Sequence, residues 1–162
     1  MKKYVLILIG ISACAVIAYW VYLASVSDDT RIRWLVADML EGFNDSRAGT
    51  VVSGLSENFT EDTTHVSRDE IKVFLVQLFF TERDPRTKEF RFKAEISNLE
   101  TRVKGGDPPS ATVRLTATLL EKSGAQWASA WVVEVEGDLR KEDGDWQFFR
   151  ARYKSREGRR PF

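Results

Sequence analysis

Residues 127–153 read WASAWVVEVEGDLRKEDGDWQFFRARY. Trp127, Trp131, Val133, Val135 and Leu139 alternate with Glu134, Glu136, Asp138 and Arg140. A period of two puts alternate side chains on opposite faces of a strand, one dry and one wet. Asp143-Gly144 interrupts the alternation with a residue pair suited to a two-residue hairpin turn, where both central residues need a positive φ. Trp146 to Tyr153 then reads as the return strand. A long antiparallel hairpin with one apolar face is thus encoded here, and that face needs a covering layer.

The same period extends upstream. Val113, Leu115, Ala117 and Leu119 alternate with Arg114, Thr116 and Thr118, and Phe90, Phe92, Ala94 and Ile96 alternate with Arg91, Lys93 and Glu95. Ser123-Gly124 marks one turn. The stretch Lys104 to Ser110, with Gly105-Gly106 and Pro108-Pro109, marks another. The spacing predicts four long antiparallel strands in a meander.

Before Pro85 the apolar period is helical. Ser27 is a suitable cap and Asp28 and Asp29 oppose the positive end of the helix dipole. Ile32, Leu35, Val36, Met39, Leu40 and Phe43 then form one stripe, predicting a helix that ends near Asn44. Asp45 or Ser46 opens a shorter second helix carrying Val51, Val52, Leu55 and Phe59, weakened by Gly49 and Gly54. Thr60 to Val66 is a polar connection. Ser67-Arg68-Asp69-Glu70 fits a capping box and opens a third helix. Its stripe is Ile71, Phe74, Leu75, Leu78 and Phe79, widened by Val73, Val76 and Phe80. That width predicts a heavily buried helix, ended by Asp84-Pro85.

The last hairpin holds a conflict. A two-residue turn at Asp143-Gly144 pairs Leu139 with Phe148 and puts Arg150 and Arg152 on the dry face. Either these arginines enter a pocket mouth and contact an anion, or a bulge near Phe148-Phe149 resets the register. The bulge places Phe149, Ala151 and Tyr153 inside and sets Arg150 and Arg152 across from Glu134 and Glu136. The cost of burying unpaired charge favours the bulge.

Tyr4 to Val26 contains no charged residue, with Lys2 and Lys3 before it and Asp28 and Asp29 after it. A helix of that length crosses a hydrocarbon core of about 30 Å. Tyr4 at one end and Tyr19, Trp20 and Tyr22 near the other suit the two headgroup levels. The reading is an N-terminal single-pass anchor over residues 4–26. Lys2 and Lys3 favour a cytoplasmic N-terminus and a domain outside the cytoplasm, periplasmic or extracellular. Two alternatives stand beside it: a cleaved signal peptide, and a lipoprotein signal in which Ile11-Ser12-Ala13-Cys14 leads to lipidation of Cys14. The resulting division is an anchor at 1–27, a folded domain at 28–155 and a basic tail at 156–162.

Setting Lys2 and Lys3 aside leaves 22 of the 24 basic residues, against 24 acidic ones. This near-neutral balance argues against a nucleic-acid partner. Cys14 is the only cysteine, so the domain has no disulfide and no thiolate metal site. His65 is the only histidine. With Asp62 it does not make a ligand set, and no metal or cofactor is expected. No phosphate loop, dinucleotide fingerprint or nucleophile elbow occurs.

Three helices followed by a curved meander, with the stripe Leu35/Met39/Phe43, the helix Ile71–Phe80 and the closing hairpin Asp138–Phe148, resembles the nuclear transport factor 2-like superfamily. The resemblance implies a cone-shaped domain of three helices packed in a curved four-stranded antiparallel sheet. Together with the run at 4–26, the expected architecture is α+β, an N-terminal transmembrane helix followed by that domain. It also implies a pocket, for which Met39, Phe43, Phe74, Trp127, Trp131 and Trp146 are the candidate lining. The superfamily includes ketosteroid isomerases, polyketide cyclases, dehydratases, binding domains and membrane assembly modules, so the fold does not give the function. The isomerases use a carboxylate base and a Tyr/Asp pair. The dry faces of the first three strands offer no carboxylate, and no catalytic residue is assigned. The expectation is a non-catalytic envelope domain binding a partner protein, a second copy through the sheet, or a small apolar ligand. The alternative is an isomerase, cyclase or dehydratase-type enzyme acting on a hydrophobic molecule. For that reading, His65, Glu57 or Asp62 must enter the cavity.

Overall fold

The computed structural model describes residues 26–161 apart from position 125. The expected anchor, but for its last residue, and Cys14 lie outside the described residues. Among the described residues no helix is long and apolar enough to cross a membrane.

Helix α1 spans Asp28–Asn44 and is capped as its sequence dictates, with Ser27 Oγ accepting from the Thr30 N–H at 3.3 Å. Ile32 and Val36 on its stripe are buried. Helix α2 is a short piece, Ala48–Ser53. Here the structure corrects the expected second helix. It stops before Gly54, and Leu55–Glu61 is strand β1. Leu55, Phe59 and Glu61 are buried while Glu57, Asn58 and Thr60 are exposed. A short apolar run fits helix or strand equally, and tertiary pairing decides it. Strand β1 finds its partner in β5 (Asp145–Gly158), running parallel to it. The Phe148 N–H donates to the Gly54 carbonyl at 2.9 Å, and the Asp62 N–H donates to the Ala151 carbonyl at 2.9 Å.

Helix α3, Arg68–Thr81, opens with the complete capping box of Ser67 and Glu70. Leu75, Leu78 and Phe79 are buried, but Val73, Val76 and Phe80 face solvent, Phe80 at 80% exposure. The expectation of burial all round fails because α3 packs on α2 and β1 on one side only. The helix ends at Thr81, ahead of Pro85, and the Asp84 carboxylate instead accepts from the Arg86 and Thr87 N–H groups.

Strands β2 (Phe92–Lys104), β3 (Ser110–Ser123), β4 (Gln126–Glu142) and β5 form the expected antiparallel meander. The sheet has five strands rather than four, in the order β1-β5-β4-β3-β2, and is mixed because β1 is parallel. Every antiparallel ladder carries at least one register shift. Bulges bend the strands that hold them, and the sheet curls around α1. Asp143 and Gly144 both have positive φ, 52° and 95°, as the hairpin turn requires. Strand β5 runs to Gly158, past the expected end at Tyr153. Arg156 is therefore a strand residue paired with Glu134 rather than part of a loose tail.

The start of α1 is tied to the β4–β5 hairpin. Asp28 Oδ1 accepts from Trp146 Nε1 at 2.9 Å and from Lys141 Nζ at 3.0 Å. The Trp146 indole N–H, with the Lys141 ammonium beside it, holds the Asp28 carboxyl below its ordinary range. The core lies between α1 and the concave face, where Ile32 and Leu139 are fully buried.

Candidate functional site

The curled sheet and α1 leave an apolar cavity of about 230 Å³ between them. Helix α1 supplies the floor through Val36, Met39, Leu40 and Phe43, four positions of its stripe on successive turns. From β1 come Leu55 and Phe59, and from β5 Phe148 and Ala151. The roof is Val113, Leu115 and Ala117 of β3 with Val135 and Gly137 of β4, every second residue of each strand. Gly137 is required here: a Cβ at this position would sit 2.5 Å from Phe148 Cε1. Every lining residue is apolar.

A second apolar compartment of about 170 Å³ adjoins the first and shares Phe43, Ala94 and Ala117 with it. It continues along the same two strands to Leu119, Val133 and Trp131. Phe43, Phe79 and Phe90 pack edge to face, with centroids 5.0–5.6 Å apart, and fix the Phe43 ring at this junction. Trp131 is held by its Nε1–H bond to Ser155 Oγ at 2.9 Å and by the Tyr153 ring, 5.8 Å away.

Of the six candidate lining residues, Met39 and Phe43 line the main cavity and Trp131 the adjoining one. Trp146 is buried at the hairpin beside Asp28. Trp127 is exposed near the β3–β4 turn. Phe74 lies on α3, where the Arg160 guanidinium sits 4.9 Å from its ring centroid. These three stray because strand parity and stripe membership give a side chain's face but not its distance along the cone. The sequence reading missed Leu115, Val135 and Gly137 as lining, although their parity marks them as dry.

The hairpin conflict is resolved by a bulge at Phe149. Leu139 pairs with Phe148, and Asp138 pairs with Arg150. Phe148 is the ring that turns inward, not Phe149, whose ring instead meets the Arg140 guanidinium at 5.2 Å. Arg152 faces Glu136 as the bulge requires, whereas Arg150 faces Asp138 and not Glu134. Arg150 pairs with Asp62 at 3.1 Å and Arg152 with Glu136, so neither enters the cavity.

A wider depression of about 550 Å³ crosses the opposite face of the sheet. It presents Glu100, Glu134 and Glu136 against Arg114, Arg152 and Lys154. Arg114 donates to Glu136 at 3.1 Å, and Arg152 shares that carboxylate. Charges that balance in this way give an ion no reason to bind.

The other candidate groups lie outside the cavity. His65 and Glu57 are exposed, and Asp62 is engaged by Arg150. Glu61 is a buried carboxylate beside them. Burial would raise its pKa, but the Thr64 hydroxyl and the Thr64 and Thr63 N–H groups, at 2.6–2.9 Å, lower it to about 2. It closes the turn after β1. Among the described residues no group of three potential metal ligands stands together.

No family model matches the sequence, and no curated protein matches it. The fold matches many solved structures. A Nostoc punctiforme protein of unknown function with a cystatin-like fold aligns at 14% identity and TM-score 0.61, covering 80% of this chain and 91% of its own. A nuclear transport factor 2-like protein of cystatin-like fold from Novosphingobium aromaticivorans aligns at 14% identity and TM-score 0.65, covering 88% and 90%. A putative scytalone dehydratase from the same organism aligns at 14% identity and TM-score 0.62, covering 80% and 85%. At such identities the likeness is one of fold. The chain has the cystatin-like, nuclear transport factor 2-like fold.

Proposed function

We propose that this chain is a single-pass membrane-anchored envelope domain that holds a small apolar ligand in its cone without performing chemistry on it. The carrying observation is the lining of the cavity, which is apolar at every position. General acid–base catalysis needs a titratable group within hydrogen-bond reach of the reacting atom, and this lining supplies none. Burial of apolar surface is what such a site offers, at about 25 cal/mol per Å². The anchor reading draws on the uncharged run at 4–26. It places the N-terminus in the cytoplasm and the domain in the periplasm or outside the cell. A protein partner is a second mode of use, for which the solvent-facing Val73, Val76 and Phe80 are the support.

The enzyme alternative rests on the likeness to a putative scytalone dehydratase. Both readings meet one experiment. The full chain and a Leu115→Glu variant are purified side by side, their organic extracts are compared, and any compound enriched with the parent protein is incubated with it. Enrichment without turnover supports a binding domain, and turnover makes the protein an enzyme. Equal extracts remove the cavity from the function. Intact mass of the same preparation tests the anchor, because a mature chain beginning at a lipidated Cys14 replaces it with a lipoprotein.

A further inference from the structure

The two apolar compartments lie end to end, and their joint shape selects among apolar ligands. On β3 the lining runs from Val113 through Leu115 and Ala117 to Leu119, and on β4 from Gly137 to Trp131. Each run covers six residue steps, or roughly 20 Å at the rise of a strand. Volumes of about 230 and 170 Å³ spread over that length describe a narrow trough rather than a rounded chamber. The two compartments meet at the Phe43 ring and the two small residues Ala94 and Ala117, where larger side chains would fill the space between them.

We propose that the trough takes one extended, unbranched hydrocarbon chain, the acyl chain of a fatty acid or a single-chain lipid. This rests on the reading of the cavity as a ligand site. A flexible chain threads the junction at Phe43, whereas a rigid fused-ring molecule occupies one compartment and leaves the other empty. The main compartment offers the polar head no partner, and Thr118 in the second is the one hydroxyl along the trough, with no charged group beside it, so a charged head remains outside. Recognition is of chain length: each buried methylene tightens binding about fourfold until the trough is full.

The test uses the full chain in lipid nanodiscs with three diazirine probes, a fatty acid, a lysophospholipid and a sterol, and maps crosslinked peptides by mass spectrometry. Crosslinks in residues 1–27 report the surrounding bilayer and serve as the internal standard. The expected result is labelling of Leu115–Leu119 and Val133–Val135 by a straight-chain probe and not by the sterol. Unlabelled fatty acids should compete about fourfold better per added methylene up to a plateau. Fatty acid labelling without lysophospholipid labelling identifies a free acid as the source, and the reverse identifies a lipid. Sterol labelling of the trough without chain labelling overturns the acyl inference and leaves the apolar-ligand reading standing. Labelling confined to 1–27 by all three probes overturns both. Ala117→Phe closes the junction and is expected to abolish trough labelling. Ala94→Leu narrows it from the other strand and guards against a folding defect in the first variant. Persistence of labelling in both variants also overturns the inference.

Discussion

Asn44 binds both backbone groups of Ala94. Its Nδ2 donates to the Ala94 carbonyl at 3.1 Å, and its Oδ1 accepts from the Ala94 N–H at 2.7 Å. The last residue of α1 thus replaces a neighbouring strand at the open edge of β2. Arg33 does the same for one group further along, donating to the Leu99 carbonyl at 3.3 Å. Exposed strand edges invite pairing with other chains. Asn44→Ala is expected to lower stability by about 1–2 kcal/mol and to speed hydrogen exchange of the Ala94 amide. An Ala94 amide that stays as protected as before would show that the side chain is not what covers this edge.

Glu61 sets an acid limit on stability. Its carboxyl is lowered from 4.5 to about 2 in the folded state. A depressed carboxylate contributes fully above its unfolded pKa and loses that contribution as pH falls through the folded one. The window is therefore pH 4.5 down to about 2, and the full effect is about 3 kcal/mol. Glu61→Gln should lower the unfolding temperature at pH 7 and flatten its dependence on pH below 4.5. An unchanged acid limb in the variant would place the effect on another group.

Gly137 and Phe148 meet too closely for any side chain at 137. Gly137→Ala is expected to cost about 1–3 kcal/mol through overpacking, measured by denaturant unfolding. Phe148→Leu in the same chain should recover part of that loss. A simple sum of the two single effects would mean that the backbone, not the ring, resists the methyl group.

Arg150 and Arg152 are each more than half exposed at the side chain and bound to carboxylates. Exposed pairs contribute about 0–1 kcal/mol. Arg150→Ala and Arg152→Ala should therefore leave both stability and trough labelling nearly unchanged. A loss of labelling in either would return these arginines to the cavity mouth.

The elements whose evidence was local were legible in the sequence. The Ser67/Glu70 capping box, the Asp143-Gly144 turn and the stripe Ile32–Phe43 each specify their own geometry within a few residues, and each is present. The bulge was legible as a contradiction, because parity would otherwise have sunk two arginines. Strand β1 was not, because Leu55 and Phe59 have a spacing of four that suits a helix, and only the parallel partner near Phe148 makes them strand. The outward face of α3 was misread for the same kind of reason. Val73, Val76 and Phe80 are apolar, but burial depends on how many neighbours the topology brings. Of the site, the floor at Met39 and Phe43 was visible, while the roof depended on how far along the curled strands the cone stays open.

The bonds from Trp146 and Lys141 to Asp28 also determine how the domain carries mechanical load. A tether pulling on Ser27 would draw α1 along its axis, and a helix free at its first turn would unravel residue by residue. Here the pull is handed to the hairpin at the first residue of the helix, and from there to the β4–β5 ladder. Lys141 and Trp146 face each other across that ladder, so both strands take up the load at once. If residues 4–26 hold this chain to a bilayer, the joint most exposed to drag is the one braced by an indole and an ammonium.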